Sequence, residues 1–311
     1  IPAGYVEPAL DYMVLSLIDF FAKNRIKTGD SRIFATPRRL VVAFADVDRQ
    51  QEDIVETFLG PSIQAAYDDQ GNLTKAAVGF ARSKGAEASS ITRKATPKGE
   101  VICVQVEKKG QPADTILTAF LPKLVADIPF PKKMRWGSKT LPFARPIHWI
   151  VALFDGKILP VEVGGTHSQN SSFGHRFLKP ESFQFDNLAD YLDQCEKHFL
   201  IVDPVKRKQL IQEQVGALAR EVGGTALEDP KLLNEVNYLV EYPVGLRCDF
   251  DPKYLSLPKE LLVITMRHHQ KYFPIDNGTG KLLPHFIAIS NMKTEKSGEI
   301  KRGNERVLRA R

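Results

Sequence analysis

Cysteine is scarce in this chain, and the spacing of the few cysteines excludes two classes of protein. The 311 residues include three cysteines, Cys103, Cys195 and Cys248, and no two of them form a CxxC arrangement. Three cysteines that lie far apart without CxxC spacing argue against a zinc ribbon and against a disulfide scaffold. The pattern favours a reducing, cytoplasmic setting in which each cysteine is a small buried hydrophobic residue.

Long apolar runs are also missing. No stretch of roughly eighteen consecutive apolar residues occurs, so a membrane-spanning helix is not predicted. The first residues are not a basic segment followed by an apolar one, so we expect no secretory leader. The chain begins with Ile1 rather than methionine, and residues 302–309 resemble the entry to a helix. We therefore interpret the sequence as a fragment of a longer protein.

Motifs of nucleotide-binding and hydrolytic enzymes are absent as well. Neither a GxGxxG segment nor a Walker loop occurs, so no ATP site is predicted on this chain. No GxSxG segment accompanies His167, Ser168 or His175, so a Ser/His nucleophile is not predicted. Glu235 and Glu241 are expected on solvent-exposed helix faces.

The adjacent histidines His268 and His269 are a weak candidate for a metal site. We expect them on a strand, where neighbouring side chains point to opposite faces and cannot readily share one ion. No HExxH motif accompanies them, and no Cys or Asp lies at a suitable offset. The nearby residues Arg267, Lys271 and Tyr272 fit contacts with phosphates and bases better.

Positive charge is concentrated in two segments. The net charge is +6, and residues 128–150 hold five Lys or Arg, no acid and both tryptophans. Residues 292–311 hold seven basic and three acidic side chains, so the rest of the chain is slightly acidic. Localised cations interleaved with aromatic rings are typical of a surface that binds a polyanion. The alternative is a solvated face with the tryptophans in the core, which we favour for Trp149.

The apolar spacing predicts an α+β protein with mixed sheets and helices in several domains. Helices are expected at residues 8–23, 75–83, 113–128 (interrupted at Pro122), 188–196, 204–222 and 230–240. Strands are expected at residues 32–37, 40–47, 100–107, 148–154, 158–163, 245–250, 261–266, 272–275 and 286–290. Turns are expected at residues 155–157 and 277–280, and a tight turn that presents one cation at residues 174–177.

Seven short blocks carry a resemblance to a known family. They are residues 36–40, 131–137, 145–148, 174–177, 240–243, 270–274 and 303–308. In this order they resemble the beta subunit of bacterial heterotetrameric glycyl-tRNA synthetase. Each block alone is weak, but seven in the family's order, spread over nearly the whole chain, are specific. The family's N-terminal Gly-Thr-Glu-Glu-like segment and its HD-like and anticodon-binding domains would lie outside this sequence.

The resemblance implies a tRNA-binding subunit of an aminoacyl-tRNA ligase. Glycine activation with ATP and Mg²⁺ would belong to the alpha subunit, and this chain would bind no cofactor of its own. Its partners would be the alpha subunit and tRNA-Gly, in the cytoplasm and without membrane contact. The chain alone would be inactive.

The resemblance also implies a domain that is similar to the editing-domain fold of the phenylalanyl-tRNA synthetase beta subunit. The predicted division is residues 1–54 as an N-terminal helix and strands, residues 55–180 as this editing-like α/β domain, and residues 181–244 as a helical segment. Residues 245–311 would form a strand-rich return segment that leads into a truncated C-terminal region.

The candidate tRNA contacts are cations for phosphates and two rings for stacking. Arginine suits planar, bidentate phosphate contacts better than lysine does. The candidates are Arg38, Arg39, Lys132, Lys133, Arg135, Trp136, Arg145, Arg176, Arg267, Lys271, Tyr272 and Arg302. Arg145 or Arg176 could equally hold a buried carboxylate.

Two other functions stay open at this point. The editing-like domain could hydrolyse an aminoacyl ester with His148, His167 or His175 as the general base. The chain could also be a scaffold that docks the alpha subunit without touching tRNA.

Overall fold

The computed structural model describes residues 1–97, 99–293 and 295–311. Its α-helices are α1 (Ala3–Lys23), α2 (Ile63–Ala66), α3 (Lys75–Ser83), α4 (Ala113–Asp127), α5 (Leu188–Lys197), α6 (Pro204–Arg220), α7 (Pro230–Asn237), α8 (Lys259–Ile264) and α9 (Ser297–Ala310). Short 3₁₀ helices occupy Ala88–Ser90 and Pro252–Ser256, and a π-helix occupies Thr265–Gln270. No helix in these described ranges is long and apolar enough to cross a membrane.

The strands are short and form several small sheets. They are β1 (Ser31–Thr36), β2 (Arg39–Phe44), β3 (Ile54–Ser62), β4 (Thr92–Thr96), β5 (Gly99–Lys108), β6 (Ile150–Val151), β7 (Leu153–Phe154), β8 (Lys157–Ile158), β9 (Glu162–Val163), β10 (Thr166–Gln169), β11 (Ser171–Phe173), β12 (Ser182–Gln184), β13 (Thr225–Ala226), β14 (Val244–Asp249), β15 (Phe273–Asp276) and β16 (Leu282–Ser290). The predicted mixed α+β class is confirmed. The resemblance of residues 55–180 to an editing domain stays a prediction.

The chain divides into two compact units. Unit 1 contains residues 1–19, 29–45 and 117–311, and unit 2 contains residues 20–28 and 46–116. The four-segment division with limits at residues 54, 180 and 244 stays a prediction.

Unit 2 is an antiparallel sheet with two helices on one face. The strand order is β3-β5-β4, and Ile102 of β5 packs with Ala66 of α2 and Ala77 of α3 in its core. A Cβ atom at Gly60 of β3 would lie 2.6 Å from the Phe80 ring, so this close approach of helix α3 requires glycine. Thr74 caps α3 by accepting from the Ala77 amide, which explains why the helix begins where the sequence predicts.

Unit 1 contains the largest sheet, an antiparallel array in the order β13-β15-β16-β14. Helices α6 and α7 cover it, burying Ile211 and Leu232 against Phe273 and Ile287. Asp203 caps α6 by accepting from the amides of residues 205 and 206, which is typical of Asp followed by Pro at the start of a helix.

A second cluster of unit 1 joins helix α1 to the segment that follows α4. Ala9 of α1 packs with Ile128, Phe130, Phe143 and Ala144. The Phe130 and Phe143 rings meet edge to face, with their centroids 4.8 Å apart. This contact anchors the cation-rich part of the sequence on a buried apolar base.

Three local predictions are wrong or incomplete. Residues 261–266, predicted as a strand, belong to α8 and the π-helix, since a short apolar run does not distinguish a strand from a buried helix face. Helix α4 continues through Pro122. The turn at residues 155–157 is correct, with Asp155 and Gly156 at φ +51° and +74°, but it joins only β7 and β8. Strands β6 and β9 pair with β10 instead.

Candidate nucleic-acid interface

Residues from three of the seven sequence blocks, together with Trp149, meet around one buried carboxylate, Glu241. The β1–β2 hairpin pairs Thr36 with Arg39 and thereby turns both side chains toward residue 241. The Thr36 hydroxyl donates to Glu241 Oε1 over 2.7 Å, and Arg39 Nη1 donates to the same oxygen. Arg38 Nη1 donates to Glu241 Oε2 over 3.2 Å. We call Thr36, Arg38, Arg39 and Glu241 the Glu241 cluster.

Trp149 and the residues around Gly174 form the walls of the Glu241 cluster. The guanidinium carbons of Arg38 and Arg39 lie 5.5 Å and 5.3 Å from the Trp149 ring centroid, within cation–π range. Arg39 donates to the Phe173 carbonyl, and Arg38 donates to the Gly174 carbonyl over 3.2 Å. The cluster therefore joins residues 36–39, 149, 173–174 and 241 into one rigid element.

The exposure of the two arginines differs. The Arg39 side chain is 3% exposed and the Arg38 side chain is 30% exposed. Arg39 is thus occupied by internal partners, and we reassign it from tRNA contact to a structural role. Arg38 keeps an accessible edge at the margin of the cluster.

The turn at residues 174–177 presents Arg176 to solvent, as predicted. His175 is fully buried, and its Nδ1 accepts from the amides of Phe177 and Leu178 over 3.3 Å and 3.2 Å. Arg176 lies beside the exposed Phe177 ring, with no carboxylate within 4 Å in the described part of the chain. Because its Nδ1 lone pair is engaged and its ring is buried, His175 is unsuited to act as a general base.

The other two histidine candidates are exposed. His167 Nδ1 lies 3.9 Å from Glu162 Oε2, and its side chain is 79% exposed. His148 is also exposed. Their part in ester hydrolysis stays a prediction.

The cations of residues 131–139 project from a small loop, which we call the basic loop. Met134 and Phe143 exchange two backbone hydrogen bonds of 2.8 Å and 3.0 Å at its base. The Lys139 amide donates to the Trp136 carbonyl, and Gly137 between them has φ +55°, which favours glycine. Trp136 is half-buried against the cluster of Phe130 and Phe143.

Lys132, Lys133 and Arg135 are exposed on the basic loop. Lys133 Nζ donates to the Ala126 carbonyl over 3.3 Å. Within residues 1–97, 99–293 and 295–311, no carboxylate lies within 4 Å of these three cations. Arg145, near the loop base, is exposed and donates to the Ala144 carbonyl, so it does not hold a buried carboxylate. The loop thus presents positive charge that internal acids do not neutralise.

The candidates around residue 270 are held by internal partners. Arg267 Nε lies 3.5 Å from Asp229 Oδ2, and Lys271 Nζ lies 2.8 Å from Glu235 Oε2. Tyr272 is 4% exposed, stacks on Phe286 at 4.6 Å and donates its hydroxyl to Asn304 over 2.8 Å. Burial, followed by the charge of Cys248, raises the pKa of Tyr272 to about 12. We reassign Tyr272 from base stacking to the core.

His268 and His269 lie on the π-helix and not on a strand as predicted. Both side chains are exposed. Among the residues that the structure describes, no three His, Cys, Asp or Glu side chains are close enough together to hold a metal ion.

Two buried charged residues, Glu241 and Arg207, differ from what the sequence patterns predict. Glu241 is 1% exposed and follows α7, contrary to the expectation of an exposed helix face, whereas Glu235 does lie on α7. The sequence does contain an indication that Glu241 is buried, because it lies between Val240 and Tyr242 just before Pro243. Arg207 is fully buried in α6 and donates to the carbonyls of Asn237, Ala35 and Ile201. Burial lowers the pKa of Arg207 to about 10.

Comparison with known proteins agrees with the seven blocks. Residues 1–311 match the family described as "Glycyl-tRNA synthetase beta subunit". The glycine–tRNA ligase beta subunits of Syntrophotalea carbinolica and Citrifermentans bemidjiense are 47% and 45% identical over all 311 residues. That of Geobacter sulfurreducens is 44% identical over the same span. The chain covers 45% of the length of each of these relatives. It belongs to the glycyl-tRNA synthetase beta subunit family.

Proposed function

We propose that this chain contributes tRNA binding to a glycyl-tRNA synthetase and that the basic loop makes part of the contact. The observation that carries the proposal is the set of exposed, unneutralised cations at Lys132, Lys133 and Arg135. Phosphates are the partners that such cations favour, and their neutralisation releases counterions from the nucleic acid. Trp136, which is half-buried, offers the exposed part of its ring for stacking.

The rigid base of the loop supports this proposal. The backbone hydrogen bonds between Met134 and Phe143 and the packing of Phe130 hold the loop in one conformation. A preformed loop loses little conformational entropy on binding. Arg145 and Arg176, each exposed, and Arg38, which is 30% exposed, are further candidates for phosphate contact in this proposal.

Glycine activation with ATP and Mg²⁺ is assigned in this proposal to the alpha subunit, with tRNA-Gly as the shared substrate. The chain's own part would be to orient tRNA, since binding energy from remote parts of a substrate positions its reacting end. The proposed setting is the cytoplasmic heterotetramer.

The test is salt-titrated binding of tRNA-Gly to the intact protein and to a K132A/K133A/R135A variant. Each lost phosphate contact lowers the slope of log K against log salt by about 0.7 to 0.9. We expect the variant to bind more weakly and with a slope reduced by about 2. An unchanged slope would remove the basic loop from the interface.

The matched control is K123A/K197A/K206A, which removes the same charge. These three lysines pair with Asp127, Asp193 and Glu196. Because their charges are already balanced, we expect the control to bind like the parent protein. Equal weakening in both variants would indicate a general charge effect. Binding of the alpha subunit without salt-sensitive tRNA binding would favour the scaffold function instead.

A further inference from the structure

Helix α9 has one face that is fixed to unit 1 by buried contacts. Leu308 packs into the cluster of Cys248, Met266, Tyr272 and Phe286. Lys301 Nζ donates to Asp249 Oδ2 over 2.6 Å, and Glu305 Oε1 accepts from the Asp249 amide over 2.9 Å. These contacts determine which side of the helix faces solvent.

A solvent-exposed face of α9 carries three arginines in a row. Arg302, Arg306 and Arg309 are exposed and stand at positions i, i+4 and i+7, which place them on the same side of an α-helix. A rise of about 1.5 Å per residue separates them by about 6 Å and 4.5 Å along the axis. In the described part of the chain no carboxylate lies within 4 Å of any of the three. We call these residues the α9 arginine row.

Acidic residues near the α9 arginine row do not neutralise it. Glu305, one of the two acids of α9, is turned inward to Lys301 and the Asp249 amide. Glu299 lies one turn earlier on the same side and forms no ion pair with Arg302. Lys253 of the neighbouring 3₁₀ helix is close enough to Arg309 for the two charges to interact, and Asp251 pairs with this lysine over 2.8 Å.

Like charges at i and i+4 destabilise a helix, so the row opposes folding in the free protein. A bound polyanion would remove this repulsion. The planar guanidinium group of arginine can donate two parallel hydrogen bonds to the oxygens of one phosphate. Helix α9 contains no aromatic residue, so the helix itself offers hydrogen-bond donors for a nucleic-acid backbone and no ring that could stack on a base.

We propose that the α9 arginine row binds the sugar-phosphate backbone of RNA and positions it without reading sequence. This inference rests on the proposed function of tRNA binding and adds a second surface to it. The row differs from the basic loop because its cations project from a helix that is anchored by Leu308 and Lys301.

The test compares R302Q/R306Q/R309Q with the parent protein in salt-titrated binding of a tRNA-Gly transcript, using the intact protein. Gln has a helix propensity close to that of Arg, and the inward contacts of α9 are kept, so the thermal midpoint should not change. We expect a loss of affinity and a slope reduced by about 2 to 3. An R302K/R306K/R309K variant keeps the three charges, so most of the salt dependence of log K should remain. It should bind more weakly than the parent, because lysine lacks the planar guanidinium that donates two hydrogen bonds to a phosphate.

The outcomes separate this inference from the proposed function. If the Gln variant keeps the parent slope while the basic-loop variant loses it, the inference is wrong and the proposed function stands. If neither variant changes the slope, both are wrong. If the Gln variant binds RNA normally but loses the alpha subunit, the row is a protein-docking surface and the inference is overturned. A K123Q/K197Q/K206Q variant controls for the change in net charge.

Discussion

Arg39 and Glu241, which are 202 residues apart in the sequence, form an ion pair with both side chains almost completely buried. Arg38 and Thr36 donate to the same carboxylate. Removal of one partner from a buried pair leaves an uncompensated charge, which is far more costly than loss of an exposed pair.

Glu241→Gln is therefore expected to destabilise unit 1 by about 3 to 5 kcal/mol. The measurement is chemical unfolding monitored by tryptophan fluorescence, since Trp149 lies beside both arginines. Glu235→Gln is the matched control, because its pair with Lys271 is partly exposed and its loss should cost less than about 1 kcal/mol. Equal effects of the two substitutions would contradict the structural role of Glu241.

Gly174→Ala is expected to disturb the turn that carries Arg176. A Cβ atom at residue 174 would lie 1.9 Å from the Lys179 carbonyl oxygen, so the backbone must move. We expect a loss of about 1 to 3 kcal/mol in the free energy of unfolding. Gly79→Ala is the control, because nothing lies within 4 Å of a Cβ there and the site is inside helix α3. It should stabilise the protein by about 0.5 to 1 kcal/mol. A neutral Gly174→Ala would show that the turn tolerates a side chain.

Docking of helix α9 should depend on pH through Asp249 and Lys301. Burial opposes ionisation of Asp249, but hydrogen bonds from Lys301 and His285 outweigh it and hold the pKa of this carboxyl below its usual range. Its contribution is thus present above about pH 4, the unfolded value, and is lost as pH falls through the folded pKa. The bond to Asp249 raises the pKa of Lys301, so that contribution is lost only as pH rises above about 10.

The measurement is the thermal midpoint of the parent and of Asp249→Asn between pH 3 and pH 8. The parent should be more stable at neutral pH, by no more than about 1 kcal/mol because the side chain is 42% exposed. The difference should shrink as pH falls below about 4 toward the folded pKa of Asp249. A difference that stays constant from pH 8 to pH 3 would show that Asp249 acts through something other than its charge.

Cys195 and Cys248 should resist alkylation in the folded protein. Burial is the main cause that raises the pKa of each thiol to about 12, so almost no thiolate is present at pH 8. Mass spectrometry after treatment with iodoacetamide should find both unmodified, and modification should become complete in guanidinium. Rapid modification of either cysteine in the native state would contradict the observed burial.

Sequence patterns predicted the elements that carry their own local signals. Helix α6 was predicted at residues 204–222, and it begins with its own cap at Asp203. The turn before β16 was predicted at residues 277–280, and its Asn277 side chain accepts from the amides of residues 279 and 281. Residues 261–266 have no capping or turn residue that marks the element type. Their helical structure depends on the packing of Leu262 and Met266 in the core.

The candidate interface shows the same limit. The basic loop was predicted because its cations are contiguous in sequence. The Glu241 cluster was not, since Thr36, Arg38 and Arg39 lie more than 200 residues before Glu241 in the sequence and their meeting depends on the fold. For the same reason the sequence could not separate exposed Lys132 from buried Arg39, which are both cations in basic, apolar surroundings.

The β1–β2 hairpin and Glu241 are far apart in the sequence, so the hairpin is synthesised well before the carboxylate that it binds. Arg39 leaves the ribosome about 200 residues before Glu241, a delay on the order of 10 to 40 s at bacterial elongation rates. During that interval Arg39 of the β1–β2 hairpin has no carboxylate partner, and unit 1 cannot complete its fold. The nascent chain is then expected to depend on chaperones, or on early docking of helix α1, until residue 241 emerges.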